Sequence, residues 1–359
     1  MSTTNIPEST KRMSGWRASW ERLMAKRWLL PVVIGLGFLL SLVIHHFKLN
    51  PYYQLTLIYI CINVILTVSL NLVNGYMGEF SVGHAGFMAV GAYTAALLSN
   101  RLWPAELNPW LFPLTVLIAG LVTAVAGLVV AIPSFKTRGD YLAIVTLAFL
   151  FIVKSAIENV EAIGGPRGIP GIYKLTNLPW AFVWMVISLW VIRNFVYSNF
   201  GRGVLSIRED EIASDLMSVR TRQVKLLAFV VSSFFGGVAG ALFAHALQFI
   251  SPRVFDIVKS TDILIMVYLG GIGSIAGSII GAAVFTVLLE VLRELLGALG
   301  WSQALRYVIM PLALILLMIY RPRGIMGLRE FRWFIPGYEL LATKLSKKPK
   351  VEVTDAAAD

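Results

Sequence analysis

The chain has 359 residues, of which 57% are hydrophobic and only 14% charged, and its mean hydropathy is +0.74. A soluble domain averages roughly 25% charged residues, and a soluble fold of this length keeps too much surface in water to hide so much apolar side chain. Soluble globular, disordered and fibrous classes are excluded, which leaves a polytopic membrane protein. The 31 Lys+Arg against 20 Asp+Glu, a net charge of +11, reads in that setting as the positive-inside signal and not as a nucleic-acid footprint.

In chain order, a basic tail (Lys11, Arg12, Arg17, Arg22, Lys26, Arg27) precedes a first apolar run, Trp28 to Ile44, followed by His45, His46, Phe47 and Lys48. No small-x-small cleavage pattern follows it, so a retained span is expected. Further spans are predicted at Tyr53 to Leu72, Val82 to Leu98, Trp110 to Ile132, Tyr141 to Ile157, Leu178 to Val196, Lys225 to Phe249 and Leu305 to Tyr320. The single cysteine, Cys61, reads as a small buried apolar residue and allows no disulfide framework within the chain.

The stretch from Asp262 to Leu292 decides the topology. At about 1.5 Å per residue it measures ~46 Å, too long for one untilted crossing. Its middle, LGGIGSIAGSIIG (Leu269 to Gly281), carries a glycine turn, so two short elements are expected. The reading is then an all-α protein of about ten transmembrane or part-spanning helices. This arrangement places 22 of the 31 basic residues inside and seven outside, with the tails 1–27 and 321–359 both cytoplasmic. Lys154 and Arg293 fall within spans.

Four segments stand out. Gly273, Gly277 and Gly281, and likewise Gly236 and Gly240, recur at every fourth residue, a helix-packing stripe that lets backbones approach closely in lipid. Residues 201–222 form a polar cytoplasmic segment beginning GRGVLSIREDEIASDLMSV, predicted as one short amphipathic helix with Ile212 and Leu216 on one face and Ser206 and Glu209 as its capping box. Its carboxylates, Glu209, Asp210, Glu211 and Asp215, disfavour an anionic lipid surface and favour a protein docking site. Asn71 to Leu98 mixes Asn71, Asn74, Glu79, Ser81 and His84 with glycines, and such polar groups at membrane depth line a cavity or contact another helix. Glu79 is expected at the inner mouth. GGPRGIPG (Gly164 to Gly171) reads as a shaped outer loop. The sequence contains no GxxxxGK[ST], HExxH, CxxC or nucleophile-elbow pattern, so neither an ATP site, a cofactor nor an enzyme is expected of this chain.

GEFSVGHAGFMAVGAYTAALL (Gly78 to Leu98), RGDYLAIVTLAF (Arg138 to Phe149), GGPRGI (Gly164 to Ile169), IREDEIASDLMSV (Ile207 to Val219), KLLAFVVSSFFGGVAGALFAH (Lys225 to His245) and LGGIGSIAGSIIGAA (Leu269 to Ala283) occur in this order. In these segments the chain resembles the LivM-type permease of branched-chain amino acid ABC importers, an inner-membrane fold of the branched-chain amino acid/ribose type. The resemblance implies that Arg208, Glu209, Asp210, Glu211, Ile212 and Ala213 form the element coupled to the ATPase. It implies as partners a LivH-type permease, two ATP-binding subunits that carry the ATP, and a periplasmic solute-binding protein, besides membrane lipid and with no nucleic acid. The leading expectation is then one half of an ATP-driven import pathway for a zwitterionic amino acid such as Leu, Ile or Val, with Asn71, Asn74, Ser81, His84 and Thr146 as candidate path residues.

The chain departs from the family pattern at Glu79, at Leu150 and Phe151, at Arg167, and at Ser218, where the family usually has Gly. A urea or short-amide importer is the close variant. An ion-coupled secondary transporter would need deep ionisable groups such as Lys154 and Glu290, although Glu290, Arg293 and Glu294 read as a local charge cluster. A structural membrane anchor does not need the glycine stripes and buried polar groups.

Overall fold

A computed structural model describes residues 35, 37–39, 41–44, 50–103, 108–136, 141–300, 302–320, 324–327 and 330. The expected tail 1–27, most of the first expected span, Arg138 and most of 321–359 lie outside these residues. From residue 50 onward the chain forms α1 (Pro51–Asn71), α2 (His84–Leu97), α3 (Asn108–Ser134), α4 (Tyr141–Asn159), α5 (Leu178–Val196), α6 (Asn199–Glu209), α7 (Glu211–Leu216), α8 (Thr221–Leu247), α9 (Ile257–Gly270), α10 (Ile275–Ala298) and α11 (Arg306–Tyr320). Before these, residues 37–39 and 41–44 are helical.

Six of the described helices are long and apolar enough to cross a membrane. They are α1 with its π-turn extension to Met77, α3, α4, α5, α8 and α10. The two elements expected between Asp262 and Leu292 are both present, and the break is backbone geometry: Gly271 at φ 129° and Gly273 at φ 75° turn the chain between α9 and α10. α9 begins earlier than the apolar run suggested, at Ile257, where the Asp256 side chain accepts from the Ile257 N–H. The predicted span at Val82 to Leu98 is a 14-residue helix, α2. A π-turn, Leu98–Leu102, continues it directly. α2 is buried on almost every side.

α8 is the centre of the fold. It packs on α2 so closely that a Cβ on Gly240 would lie 2.0 Å from the Met88 carbonyl oxygen, and one on Gly91 would lie 2.2 Å from that of Gly237. Gly236 faces Phe87 and His84. α9 and α10 meet in the same way, with Gly270 against Gly277 and Gly281 against Met266. Within lipid, where no hydrophobic drive separates helix from solvent, such backbone contact is what holds helices together. The expected stripe of Gly273, Gly277 and Gly281 needs one correction. α10 starts at Ile275, so Gly273 belongs to the turn, and the residue facing Gly277 is Gly270.

The contacts define two ends of the bundle. At one, α6 and α7 gather around the loop after α1 and the first turn of α8. Glu330 also lies there: it accepts from the Tyr76 hydroxyl at 2.9 Å and from the backbone N–H groups of Ile275 and Ala276, satisfying donors left open at the start of α10. At the other end Lys154 pairs with Asp256 at 3.2 Å, and Tyr52 donates to Glu290, which also meets Arg293 at 3.5 Å. The Gly164 to Gly171 loop is shaped as expected: two short 3-10 turns lead into β1 (Ile169–Pro170), which pairs antiparallel with β2 (Phe249–Ile250) just beyond α8.

Candidate functional site

The predicted coupling segment is two helices, not one. α6 starts at Asn199, where the Ser198 side chain accepts from the Gly201 N–H at 3.3 Å. Ser206 is therefore interior, its hydroxyl donating to the Gly203 carbonyl at 2.9 Å, and the expected capping box does not form. Asp210 adopts extended backbone, φ −162° and ψ 115°, and breaks the helix. Its carboxylate then caps α7, accepting from the Ala213 N–H at 3.0 Å. Arg208 and Glu209 end α6, Asp210 is the joint, and Glu211, Ile212 and Ala213 open α7.

The break separates two apolar faces. Ile207 is buried with Val204 on the bundle side of α6. Ile212, Leu216 and Met217 point away from the bundle and are 66%, 81% and 80% exposed. Ile212 and Leu216 share one face, as their spacing predicts. Ser218, directly after, has φ 62°. This is the left-handed region, which a residue with a Cβ occupies at a cost and which explains why a glycine is expected here. The Ser218 side chain is exposed. Ser218→Gly is therefore predicted to raise unfolding stability by about 0.5–1 kcal/mol, to be read as a higher melting temperature in detergent with transport unchanged.

Behind this surface lies a charge cluster. The side chain of Lys225, in the second turn of α8, is only 7% exposed. Its ammonium donates to Glu79 at 2.6 Å and pairs with Glu211 at 2.8 Å. Glu79 follows the π-turn (Leu72–Met77) that extends α1, so Lys225 ties α7, α8 and this loop together. Arg208 adds a second tie: its guanidinium donates to the Gly75 carbonyl at 3.2 Å and its stem lies against Gly78. The Thr221 hydroxyl donates to Asp215 at 2.6 Å, closing α7 onto α8. Lys225 was legible only as the start of a span. The one hint was a lysine in the opening turns of an otherwise apolar helix, because its carboxylate partners are remote in sequence.

The predicted path residues converge on the same loop, and each is hydrogen-bonded within the chain. Asn71 is buried, donates to the Ser274 carbonyl at 2.9 Å and to the Ser278 hydroxyl at 2.7 Å, and accepts from the Gly273 N–H at 2.9 Å. It thereby joins the end of α1 to the α9–α10 turn. Asn74 exchanges two bonds with the backbone of Ser81. His84 Nε2 lies 2.7 Å from the Ser69 hydroxyl. Thr146 accepts from the Val82 N–H at 3.2 Å. The loop that follows α1 is thus tied to α4 through Val82 and to α8 through Glu79, and Asn71 at its start is tied to α10. Among the described residues no group of His, Cys, Asp and Glu is arranged to hold a metal ion.

Comparison with known proteins agrees with this architecture. Residues 52–318 match the family model described as branched-chain amino acid transport system / permease component. The chain is 36% identical over 315 residues to the high-affinity branched-chain amino acid transport system permease protein LivM of Escherichia coli, covering 76% of this chain and 68% of that protein. LivM of Salmonella typhimurium is 35% identical over the same shares. The LivH permease protein of the same Salmonella is 23% identical over 288 residues, 74% of this chain and 91% of that protein. No solved structure matches. The polytopic helical fold, the buried glycine contacts and these matches together place the chain in the branched-chain amino acid transport system permease family, as a permease subunit of an ABC importer.

Proposed function

We propose that the chain is one of two permeases of an ATP-driven importer in a bacterial inner membrane, with both termini cytoplasmic, and that it passes branched-chain amino acids. The observation that carries this is the exposed Ile212, Leu216 and Met217 face on an acidic, Lys225-braced helix pair. An apolar face rimmed by carboxylates suits a protein groove and not an anionic leaflet. Its partners are two ATP-binding subunits docked on α6 and α7, a LivH-type permease completing the path, and a periplasmic solute-binding protein that delivers the solute. ATP hydrolysis belongs to the ATP-binding subunits, and this chain performs no chemistry of its own.

ATP binding drives the permeases only by stabilising one conformation over another. The physical link available is the set of ties from α7 through Lys225 to Glu79, and from Arg208 to Gly75 and Gly78. Motion of α6 and α7 is thereby passed to segment 72–83, and the contacts of Asn71, Asn74, Ser81, His84 and Thr146 around it shape the inner half of the path. The solute reading is supported by the names of the relatives. The test is uptake of radiolabelled leucine by proteoliposomes holding the complete complex. Uptake that requires ATP and the binding protein is the expected result. Uptake driven by an ion gradient without ATP contradicts it.

A further inference from the structure

Beyond α11 the chain returns to the α9–α10 turn and closes it. The Ile325 N–H donates to the Leu269 carbonyl at 2.9 Å and the Met326 N–H to the Gly270 carbonyl at 3.0 Å, which satisfies two of the carbonyls left open at the end of α9. Gly324 lies so close that a Cβ on it would sit 2.5 Å from the Tyr268 carbonyl oxygen. Glu330 serves the start of α10 in the same way. One carboxylate oxygen accepts from the Ile275 N–H and the other from the Ala276 N–H at 3.2 Å, while the Ser274 side chain accepts from the Gly277 N–H at 2.9 Å. The first three N–H groups of α10 are thereby all satisfied within the chain.

Glu330 has one further contact, which capping does not require. The Tyr76 hydroxyl donates to it at 2.9 Å. Tyr76 is buried and stands in the π-turn that extends α1, and such turns are frequent at functional sites. Its neighbour Gly75 gives its carbonyl to Arg208 of α6. A Cβ on Gly75 would lie 2.4 Å from the Gly273 nitrogen, so no side chain fits between the π-turn and the α9–α10 turn. Two consecutive residues of the π-turn therefore face two different elements: Gly75 meets the candidate coupling pair, and Tyr76 meets the cap of α10.

We propose that Glu330 is a positioning residue of the transport cycle. Through the Tyr76 hydroxyl its carboxylate locks the π-turn to the α9–α10 hairpin, and motion received from α6 at Gly75 reaches the hairpin through that link. The inference rests on the importer reading above and extends its route beyond segment 72–83, into two helices that the coupling pair does not itself tie. Asn71 supplies a parallel tie to the same turn, so loss of the Glu330 link weakens coupling without abolishing it.

The test measures leucine taken up per phosphate released, in proteoliposomes holding the complete complex, ATP and the binding protein, for Tyr76→Phe, Glu330→Ala and the double variant. Tyr76→Phe keeps the buried ring and leaves both α10 N–H groups with their carboxylate. It is expected to lower the ratio by about three- to tenfold, the factor that one hydrogen bond sets, with the melting temperature moved by no more than about 2 °C. Glu330→Ala should lower the ratio by the same factor and also lower the melting temperature, because it opens the donors of α10. The double variant should have the ratio of Glu330→Ala alone, since both changes remove one link. An unchanged ratio in Tyr76→Phe overturns the proposal, as do losses that multiply in the double variant. A role in capping alone would lower the melting temperature of Glu330→Ala and leave leucine per phosphate unmoved in every variant. If Glu330→Ala does not assemble, Tyr76→Phe decides alone. ATP-dependent uptake with a ratio that no variant moves sinks the role of Glu330 and leaves the importer reading standing, whereas uptake by the unaltered complex without ATP sinks the reading itself.

Discussion

The double variant Ile212→Asp, Leu216→Asp is expected to lose the ATP-binding subunits while the permease itself inserts and folds normally. Both side chains point away from the bundle, so their replacement creates no cavity and breaks no hydrogen bond within the chain. If they are the apolar centre of a docking surface, removing each costs about 2 kcal/mol, as hot-spot aliphatic contacts do. The pair together then lowers affinity for the ATP-binding subunit by about 1,000-fold. Co-purification of that subunit should fall below detection, while the melting temperature of the permease shifts by no more than about 2 °C. Retained co-purification shows that the face meets lipid or solvent instead.

The second large effect is expected at Lys225. Lys225→Met keeps the length and apolar stem of the side chain and removes its charge. Glu79, 19% exposed, then loses its counter-ion in a mostly desolvated place. Breaking a buried ion pair from one side costs about 3 kcal/mol or more. Glu211 is 41% exposed, and water compensates much of its loss, so Glu211→Gln alone should cost under about 1 kcal/mol. The functional consequence is larger than the stability loss. With α7 no longer tied through Lys225 to segment 72–83, Lys225→Met should retain ATP hydrolysis and lose at least tenfold in leucine uptake. Glu211→Gln should show a milder version of the same split. Parallel measurement of phosphate release and uptake in proteoliposomes checks both. Loss of hydrolysis in step with uptake indicates instead that Lys225 only supports the fold.

The spans and the candidate site differ in how much of them the sequence discloses, for physical reasons. The spans are plain because an apolar helix in lipid needs a long uninterrupted run, and α5 begins and ends where the run does, at Leu178 and Val196. The break between α9 and α10 is plain because only glycine takes φ values such as those of Gly271 and Gly273 without cost. The short helices are harder. α2 is as apolar as a span, yet it is 14 residues long and buried among other helices, and composition does not distinguish a neighbour helix from lipid. The division at Asp210 was hidden because the pattern of Ile207, Glu211 and Ile212 fits one continuous helix. The extended backbone at Asp210 and the caps by Ser198 and Asp210 cut that pattern in two. Pairings such as Lys225 with Glu79, or Asn71 with Ser278, join residues far apart in the chain and have no local signature.

Docking of α7 on an ATP-binding subunit is what couples ATP to this chain in the proposed mechanism. Its most direct test is a photo-crosslinking amino acid in place of Leu216, which is 81% exposed, in membranes holding the complete complex. One crosslinked product is expected, between this chain and the ATP-binding subunit, that disappears when the partner subunit is omitted. Crosslinking to lipid alone, or a yield that does not depend on the ATP-binding subunit, contradicts it.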